Sequence, residues 1–557
     1  MKKVLVLLLV VLMMFSSTAL AYNVSEPGVI PVVDEVVEYT IVAPDTTYVN
    51  DLNENSLTSW IAEKTNVQLV FQEIPDTEWD TKVNLLIASD ELPDAFIYGG
   101  FTAAELADYG SQGVFMAMND IIEEHGYYTK QVFEQQDKLP GAYTALDGKM
   151  YTLPDINECY HCFYSMRAWI NQTWLDNLGL EYPNTLEELC EVLRAFKEQD
   201  ANGNGDPNDE IPMTGDAASW NAAIYPFLLN SFLHYDTSNL SVKEDGTVIF
   251  TPIQEEFKEG IKYIAGMIAE GLIEKEALTQ TSEQLLTKGS GGDVSQIGVF
   301  TAACWWTAVS PDTGEGSRCR EYVGLSPLEG PEGVRISPWS GTGVNMGNCV
   351  ITTACEDPVP LFKMFDYMLS DEGTLRSQQG EEGVDYTLPE EGKTGINGKP
   401  ALYFPIPTAV KGGSGGEEST TCMPNVFPSN RTSDFRLGEQ ADYSDPETQW
   451  LQEPRLYNES YKYFMPYADE SMMYPSAVNL TSEEAEKINF MSTQINDYVK
   501  ENIVLFLAGE KDVDAEWDAY VAEFDNLNLD EYMELRQMAY TRQYGDAAET
   551  AETTEAE

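Results

Sequence analysis

Three short apolar segments near the start of the chain alternate with helical patterns, and that order leaves few folds open. Val37, Tyr39, Ile41 and Ala43 alternate with polar neighbours, and so do Val67, Leu69 and Phe71. This is the period of a strand with one buried face. Ala95 to Tyr98 is a third, continuous apolar run that ends at Gly99-Gly100. A helix fits between the first two segments and another around Trp79 to Ala88. Strands separated by helices predict an α/β lobe with a largely parallel sheet. Ligands bind beyond the carboxyl ends of such strands, so Gly100 and Phe101 are candidate ligand contacts.

One such lobe cannot use the whole chain. Its 557 residues exceed the roughly 250–300 that a single core serves, so two large lobes are expected. The middle and C-terminal regions are helix-rich. Thr185 with Glu188, and Thr481 with Glu484, form capping boxes that satisfy orphan backbone donors at helix starts. Leu186, Leu189, Cys190, Leu193 and Phe196 follow the first at helical spacing; Ile488, Met491, Ile495, Tyr498 and Phe506 follow the second, with Gly509 as terminator. Residues 288–293 and 411–418 read as Gly/Ser loops.

Lys2 and Lys3, the apolar run Val4 to Phe15 and Ala19-Leu20-Ala21 have the layout of a signal peptide over 1–21, with Tyr22 as the mature start. The chain is therefore expected to be exported, to the periplasm or the cell surface. No Cys follows the cleavage site, so the pattern lacks a lipobox. No other stretch approaches the roughly 20 apolar residues of a membrane span. Residues 22–35 read as a flexible lead-in and 546–557 as a disordered acidic tail. With 32 Lys plus Arg against 93 Asp plus Glu, the surface repels phosphate backbones, which argues against nucleic acid as a partner. Cys159 and Cys162 are read as a local disulfide or two packed thiols.

The sharpest motif follows the helix that starts at Thr185. Asp200, Asn202 and Asn204 place oxygen side chains at positions 1, 3 and 5, Gly205 stands at the sharp turn, and Asp206 at position 7 offers a carbonyl. This is how a loop wraps calcium, in a structural role. Ile211 occupies the position of the usual bidentate Glu, so Asp209 and Glu210 are the substitutes. Catalytic motifs are mostly missing. Gly412-Gly-Ser414-Gly-Gly416 matches a nucleophile elbow but lacks the flanking strand and helix. Paired carboxylates leave one enzyme alternative, a secreted carbohydrate-active enzyme. Trp220, Trp305, Trp306 and Trp339 lie in irregular segments, where aromatic faces can pack on a pyranose.

Several segments occur together in a known order. They are Leu92 to Tyr98, Gly113 to Ile121, Asp147-Gly-Lys-Met-Tyr151-Thr-Leu-Pro154, Trp174 to Gly179, Glu381-Glu-Gly-Val-Asp385-Tyr386, Asp497-Tyr498 and Gly509 to Asp512. In this order the chain resembles the family 1 extracellular solute-binding proteins of bacterial ABC importers, in the large LipO-like and alginate-oligosaccharide-binding group. The resemblance implies a two-lobe periplasmic-binding-protein-like fold of type II, helix-rich, with a hinge between lobes. It implies a sugar or oligosaccharide ligand, capture by lobe closure and delivery to the transmembrane subunits of an ABC permease by a monomer that is not an enzyme. It also implies calcium held by Asp200, Asn202, Asn204, Asp206 and the acids that follow. Asp155, Asn157 and Tyr386 join the tryptophans as ligand candidates. The expected division is 36–150 plus about 300–375 for the first lobe, and 151–299 plus about 376–540 for the second, which carries the calcium loop at 200–210.

Overall fold

The computed structural model describes residues 22–554, apart from 47–48, 137–138, 218, 340, 342, 407–417 and 476–477. The expected signal peptide, most of the loop expected at 411–418 and the tail residues 555–557 lie outside the described residues.

The three predicted strands form the first sheet. Val37–Pro44 is central, parallel to Val67–Ile74 on one side and to Ala95–Ile97 on the other, and Cys349–Ile351 closes the sheet antiparallel to Ala95–Ile97. The edge strand keeps its alternation: Val67, Leu69 and Phe71 are buried while Gln68, Val70 and Gln72 are exposed. Inner strands are covered on both faces, as parallel sheets require. Ile41, Ala95, Ile97 and Ile351 pack into one core with the helix Pro358–Met368. Val42, Phe96 and Val350, one residue out of phase, pack into a second with Trp79, Phe101 and Phe115.

The second sheet has the order Tyr322–Leu325, Ala168–Asn171, Ile297–Thr301, Ile211–Thr214, of which only the last pair is parallel. Ala168, Ile170, Met213 and Val299 face a large helical core, and Trp169, Phe300 and Tyr322 face a smaller one. Both predicted capping boxes form, before the helices Leu186–Glu198 and Ser482–Leu507. Leu189, Leu193, Phe196, Ile488 and Ile495 are 0–1% exposed. Each such side chain contributes about 1.5–3 kcal/mol through burial.

Three expectations need correction. The lead-in is docked: Val32 and Val33 are fully buried in the first core, and the Val32 N–H donates to the Thr65 carbonyl. Residues 546–554 of the expected tail continue the last helix, Leu529–Thr554, because Ala and Glu favour helix. The lobe boundaries also shift. Residues 300–343 stay with the second lobe, because Tyr322–Leu325 pairs with Ala168–Asn171. The first lobe regains the chain from about 346 to 427, where Met423, Val426 and Phe427 enter its core.

The chain thus crosses between lobes three times, and the crossings are one small sheet. Asp155–Asn157 lies between Val344–Asn345, antiparallel, and Asn430–Arg431, parallel. Asp155 ties all three. It is 1% exposed. One carboxylate oxygen accepts from the side-chain amides of Asn345 (3.0 Å) and Asn348 (2.8 Å), and the other from the N–H (3.1 Å) and hydroxyl (3.0 Å) of Ser429. Burial pushes its pKa up against the four donors that favour the charged form. Asp155, expected among the ligand contacts, is therefore a hinge residue. Asp155→Ala strands buried donors on both other crossings, and urea unfolding should register a loss of about 3 kcal/mol or more. A loss under about 1 kcal/mol would contradict this role.

Candidate ligand cleft and cation loop

The parallel pair of the second sheet sends its carboxyl ends in one direction, and irregular segments follow both strands. Trp220 follows Ile211–Thr214, and Trp305-Trp306 follows Ile297–Thr301. The 3₁₀ turn Cys162–Tyr164 leads into Ala168–Asn171, which runs antiparallel to Ile297–Thr301, so this turn lies at the same end. The Asn221 side-chain amide donates to the Ser165 hydroxyl at 2.7 Å and fastens the Trp220 loop to the turn. Trp339 stacks on Phe163 of that turn, with centroids 4.4 Å apart and planes 24° apart, and meets Tyr164 edge-on. Trp220 is 56% exposed. The indole N–H of Trp339 donates to the Gly341 carbonyl at 2.9 Å. Gly343 has φ +70°, and a Cβ there would lie 2.8 Å from Glu158 Cγ, so the strand passes the turn only as glycine.

The structure therefore brings Trp220 and Trp339 to one turn beside the hinge. Asn157 joins them at the hinge end: it is half-buried, its N–H donates to the Gly343 carbonyl, and its side-chain amide to Asn425 Oδ1 at 3.3 Å. Gly100 is exposed past its strand. Other candidates lie elsewhere. Phe101 is 4% exposed inside the aromatic core with Phe96 and Phe115, because the chain turns inward after Gly100. Trp305 is 1% exposed, edge-on to Trp169 and covered by the Arg455 guanidinium 4.3 Å from its ring centre. Trp306 is half-buried against Trp305. Tyr386 is 6% exposed and packs with Tyr403 and Phe435 in a separate small core.

Beneath the turn lies a buried polar network. Arg436 donates to Glu453 Oε1 at 3.1 Å and to His161 Nε2 at 3.2 Å. A guanidinium can only donate, so His161 Nε2 is the acceptor and the imidazole is neutral with its proton on Nδ1. Burial takes the His161 pKa down to about 4, in agreement. Burial alone would raise Glu453, but the guanidinium charges of Arg436 and then Arg431 hold its carboxyl well below the usual range. Cys159 and Cys162 form a disulfide, one of the two outcomes weighed for that pair. Cys159 Sγ lies 3.7 and 3.6 Å from the two ring nitrogens of His161, in line with neither lone pair, which is packing and not metal-ligand geometry.

The cation loop spans 200–210, between the helix Leu186–Glu198 and the strand Ile211–Thr214. The Gly205 N–H, at φ +94°, donates to Asp200 Oδ2 at 2.9 Å. Asn202 Oδ1 and Asn204 Oδ1 accept from the N–H groups of Asn204 and Asp206. The side-chain amides of Asn202 and Asn204 donate to Asp209 at 3.1 and 2.7 Å. Glu210 Oε1 accepts from the N–H groups of Ala201 and Asn202. Two oxygens are left over: Asp200 Oδ1 and Glu210 Oε2 are buried without any partner. Burial raises the Glu210 pKa. Two orphaned carboxylate oxygens among Asn and Asp side chains are a donor set that fits a hard cation.

The family model for bacterial extracellular solute-binding proteins matches residues 48–374. The chain belongs to that family. The fructooligosaccharide ABC transporter substrate-binding protein FusA of Streptococcus pneumoniae is 26% identical over 514 residues, covering 88% of this chain and 87% of FusA. The FusA structure in complex with kestose superposes with a TM-score of 0.75 at 24% identity, over 92% of this chain and 100% of that one. An EF-hand mutant of FusA, in complex with fructo-nystose, has a TM-score of 0.74 at 24% identity, over 92% and 100% of the two chains. An extracellular solute-binding protein from Bifidobacterium longum subsp. infantis gives a TM-score of 0.76 at 20% identity, over 91% and 98%. The alginate-binding protein AlgQ2, solved without calcium ion, gives 0.62 at 23%, over 91% and 98%. This family member thus has the two-lobe binding-protein fold.

Sequence reasoning missed Phe163, Arg431, Arg436 and Glu453. Phe163 sat in an aromatic run, Cys159 to Tyr164, that drew notice only for its cysteines. The arginines carry one signal in the sequence, as basic residues in an acid-rich chain. The network sets a pH dependence. Unfolded His161 takes up a proton near pH 6.5, while the folded form resists until about 4, so stability is lost as pH falls from about 6.5 towards 4. Glu453, depressed in the fold, adds a further loss below its unfolded value of 4.5. His161→Gln should flatten the stability–pH slope between pH 6 and 4.5 by about 1.4 kcal/mol per unit. Urea titrations across that range measure it, and an unchanged slope would refute the neutral assignment.

Proposed function

We propose that this protein captures a sugar or oligosaccharide between its two lobes, outside the cytoplasm, and delivers it unaltered to the transmembrane subunits of an ABC importer. The observation that carries this reading is the placement of exposed Trp220 and of Trp339 against one turn, beside a hinge of three crossings. A pyranose or furanose presents C–H faces to such rings, and polar groups such as Asn157 bond its hydroxyls. Contacts to both lobes favour the closed form when ligand is present. The similarity to FusA supports a fructo-oligosaccharide or a related neutral oligosaccharide. The protein works as a monomer, and the disulfide at 159–162 suits an exported chain.

Calcium binds structurally in the loop at 200–210. Asp200, Asn202, Asn204, Asp206, Asp209 and Glu210 supply its oxygens, with Asp200 Oδ1 and Glu210 Oε2 gaining the partner they lack. When bound, the ion fixes the connection from the helix Leu186–Glu198 to the strand that presents Trp220.

Differential scanning fluorimetry and calorimetric titration against kestose, nystose and a panel of other oligosaccharides test the reading. At least one should raise the melting temperature and be recovered intact by chromatography. Trp339→Ala and Trp220→Ala should each weaken binding by about 10-fold. Cleavage of the bound saccharide, or the absence of any ligand in the panel, would overturn it. Chelation should lower stability by about 3 kcal/mol if calcium is present at 100 times its Kd, and Asp200→Ala should abolish that difference.

A further inference from the structure

Arg431 stands out among the cations of this chain. It lies in the third hinge crossing, in register with Asn157, so in this parallel pair the two side chains share one face of the hinge sheet. That face also carries Asp155, Ser429 and Asn345, whereas Ile156 and Val344, on the other face, pack against Tyr143. The polar face therefore runs from the buried tie at Asp155 out to Asn157 and Arg431, at the base of the aromatic turn.

The guanidinium there feels the Glu453 charge but makes no hydrogen bond or close ion pair with it. With 93 acidic residues against 32 basic ones, a carboxylate partner is the default for any arginine in this chain. Yet among the described residues no carboxylate pairs with Arg431. The residue is half-buried, and its Nε is buried without a hydrogen-bond partner. The nearby acid is committed elsewhere: Glu453 Oε1 takes Arg436, and its Oε2 takes the Tyr160 hydroxyl at 3.0 Å. Burial and the Arg436 charge bring the Arg431 pKa down to about 10, so the site costs folding energy and stays cationic at neutral pH. A half-buried guanidinium whose donors the fold leaves unused, with only a neighbouring charge to offset its burial, is a group held ready for something outside the fold.

We infer that Arg431 is a ligand-binding residue of the cleft floor, donating in a bidentate fashion to two neighbouring oxygens of the saccharide, with Asn157 beside it as the second polar contact. Two neighbouring oxygens come either from vicinal hydroxyls of a neutral sugar or from the carboxylate of a uronic acid, and a planar fork suits both. The inference rests on the proposed saccharide-binding function and adds the residue that selects among saccharides.

Titrations of wild type, Arg431→Met and Arg431→Lys with kestose and with tri-galacturonate, at low and high salt, test it. Arg431→Met should lose affinity on the order of 10- to 100-fold, the cost of removing charge-assisted hydrogen bonds. Its ligand-free form should melt within a degree or two of wild type, since no hydrogen bond or close ion pair of the fold is removed and Glu453 keeps Arg436. If the oxygens are vicinal hydroxyls, kestose binds, salt has little effect and Arg431→Lys recovers little. If they are a carboxylate, tri-galacturonate binds, salt weakens it and Arg431→Lys recovers most of the affinity. Unchanged affinity in Arg431→Met overturns the inference and leaves the saccharide reading intact. So does a melting temperature that drops by several degrees with unchanged affinity, which marks a purely structural arginine. Failure of wild type to bind any saccharide overturns both.

Discussion

The fold depends on one buried carboxylate. Asp155 sits where the chain makes its three passages between lobes and accepts hydrogen bonds from both of the other passages. Each passage continues directly into a part of the candidate site or the core behind it. Asp155–Asn157 leads into the turn that carries Phe163; Val344–Asn345 follows Trp339 and leads to the edge strand Cys349–Ile351; Asn430–Arg431 leads into the helix Ser433–Arg436. The register of this small sheet therefore sets where the turn that carries Phe163, the helix Ser433–Arg436 and the first lobe meet. A hinge made only of backbone pairs would leave that register to two or three hydrogen bonds per strand. Four charge-assisted bonds to one carboxylate fix it more firmly.

The cation loop acts on the same assembly from the far end. The Ile211 N–H donates to the Gln296 carbonyl at 2.7 Å, so the loop sits where both parallel strands of the second sheet begin. The segments that follow those strands at their other ends carry Trp220 and Trp305-Trp306. An ion gripped by Asp200 and Glu210 would bear on those segments from a distance, by holding the starting points of the strands that lead into them.

What the sequence made legible divides along physical lines. Periodicity is local, so the strands Val37–Pro44 and Val67–Ile74 and both capping boxes could be read directly. The cation loop could be read for the same reason: its oxygens are neighbours along the chain. Crossing points were not legible. Tyr322–Leu325 joins the second sheet through pairing with residues about 150 positions earlier, which no local window contains. The tryptophans were legible as a set and not one by one. Trp220 and Trp305 each follow a strand of the same parallel pair, yet one is exposed and the other buried beneath Arg455, because only the tertiary fold decides which ring meets a cation and which meets solvent.

The charge of the molecule separates in the same manner. Carboxylates dominate the exposed surface, while several of the few arginines are drawn inside, where they hold the chain together through carbonyls. Arg455 donates to the carbonyls of Cys319 and Tyr322 at 2.9 and 2.8 Å, and Arg167 to that of Tyr164 at 2.9 Å. Exposed charges separated by more than about 8–10 Å are largely screened at physiological salt, so a surface carrying −61 overall says little about the field at the cleft floor. Beside the hinge the effective dielectric is lower, and the buried charges of Arg431, Arg436 and Glu453 outweigh many distant carboxylates. A reading of ligand class from net charge alone would therefore start from the wrong charges. The ones that count are the few beside the hinge, and there the Arg431 Nε is buried without a hydrogen-bond partner.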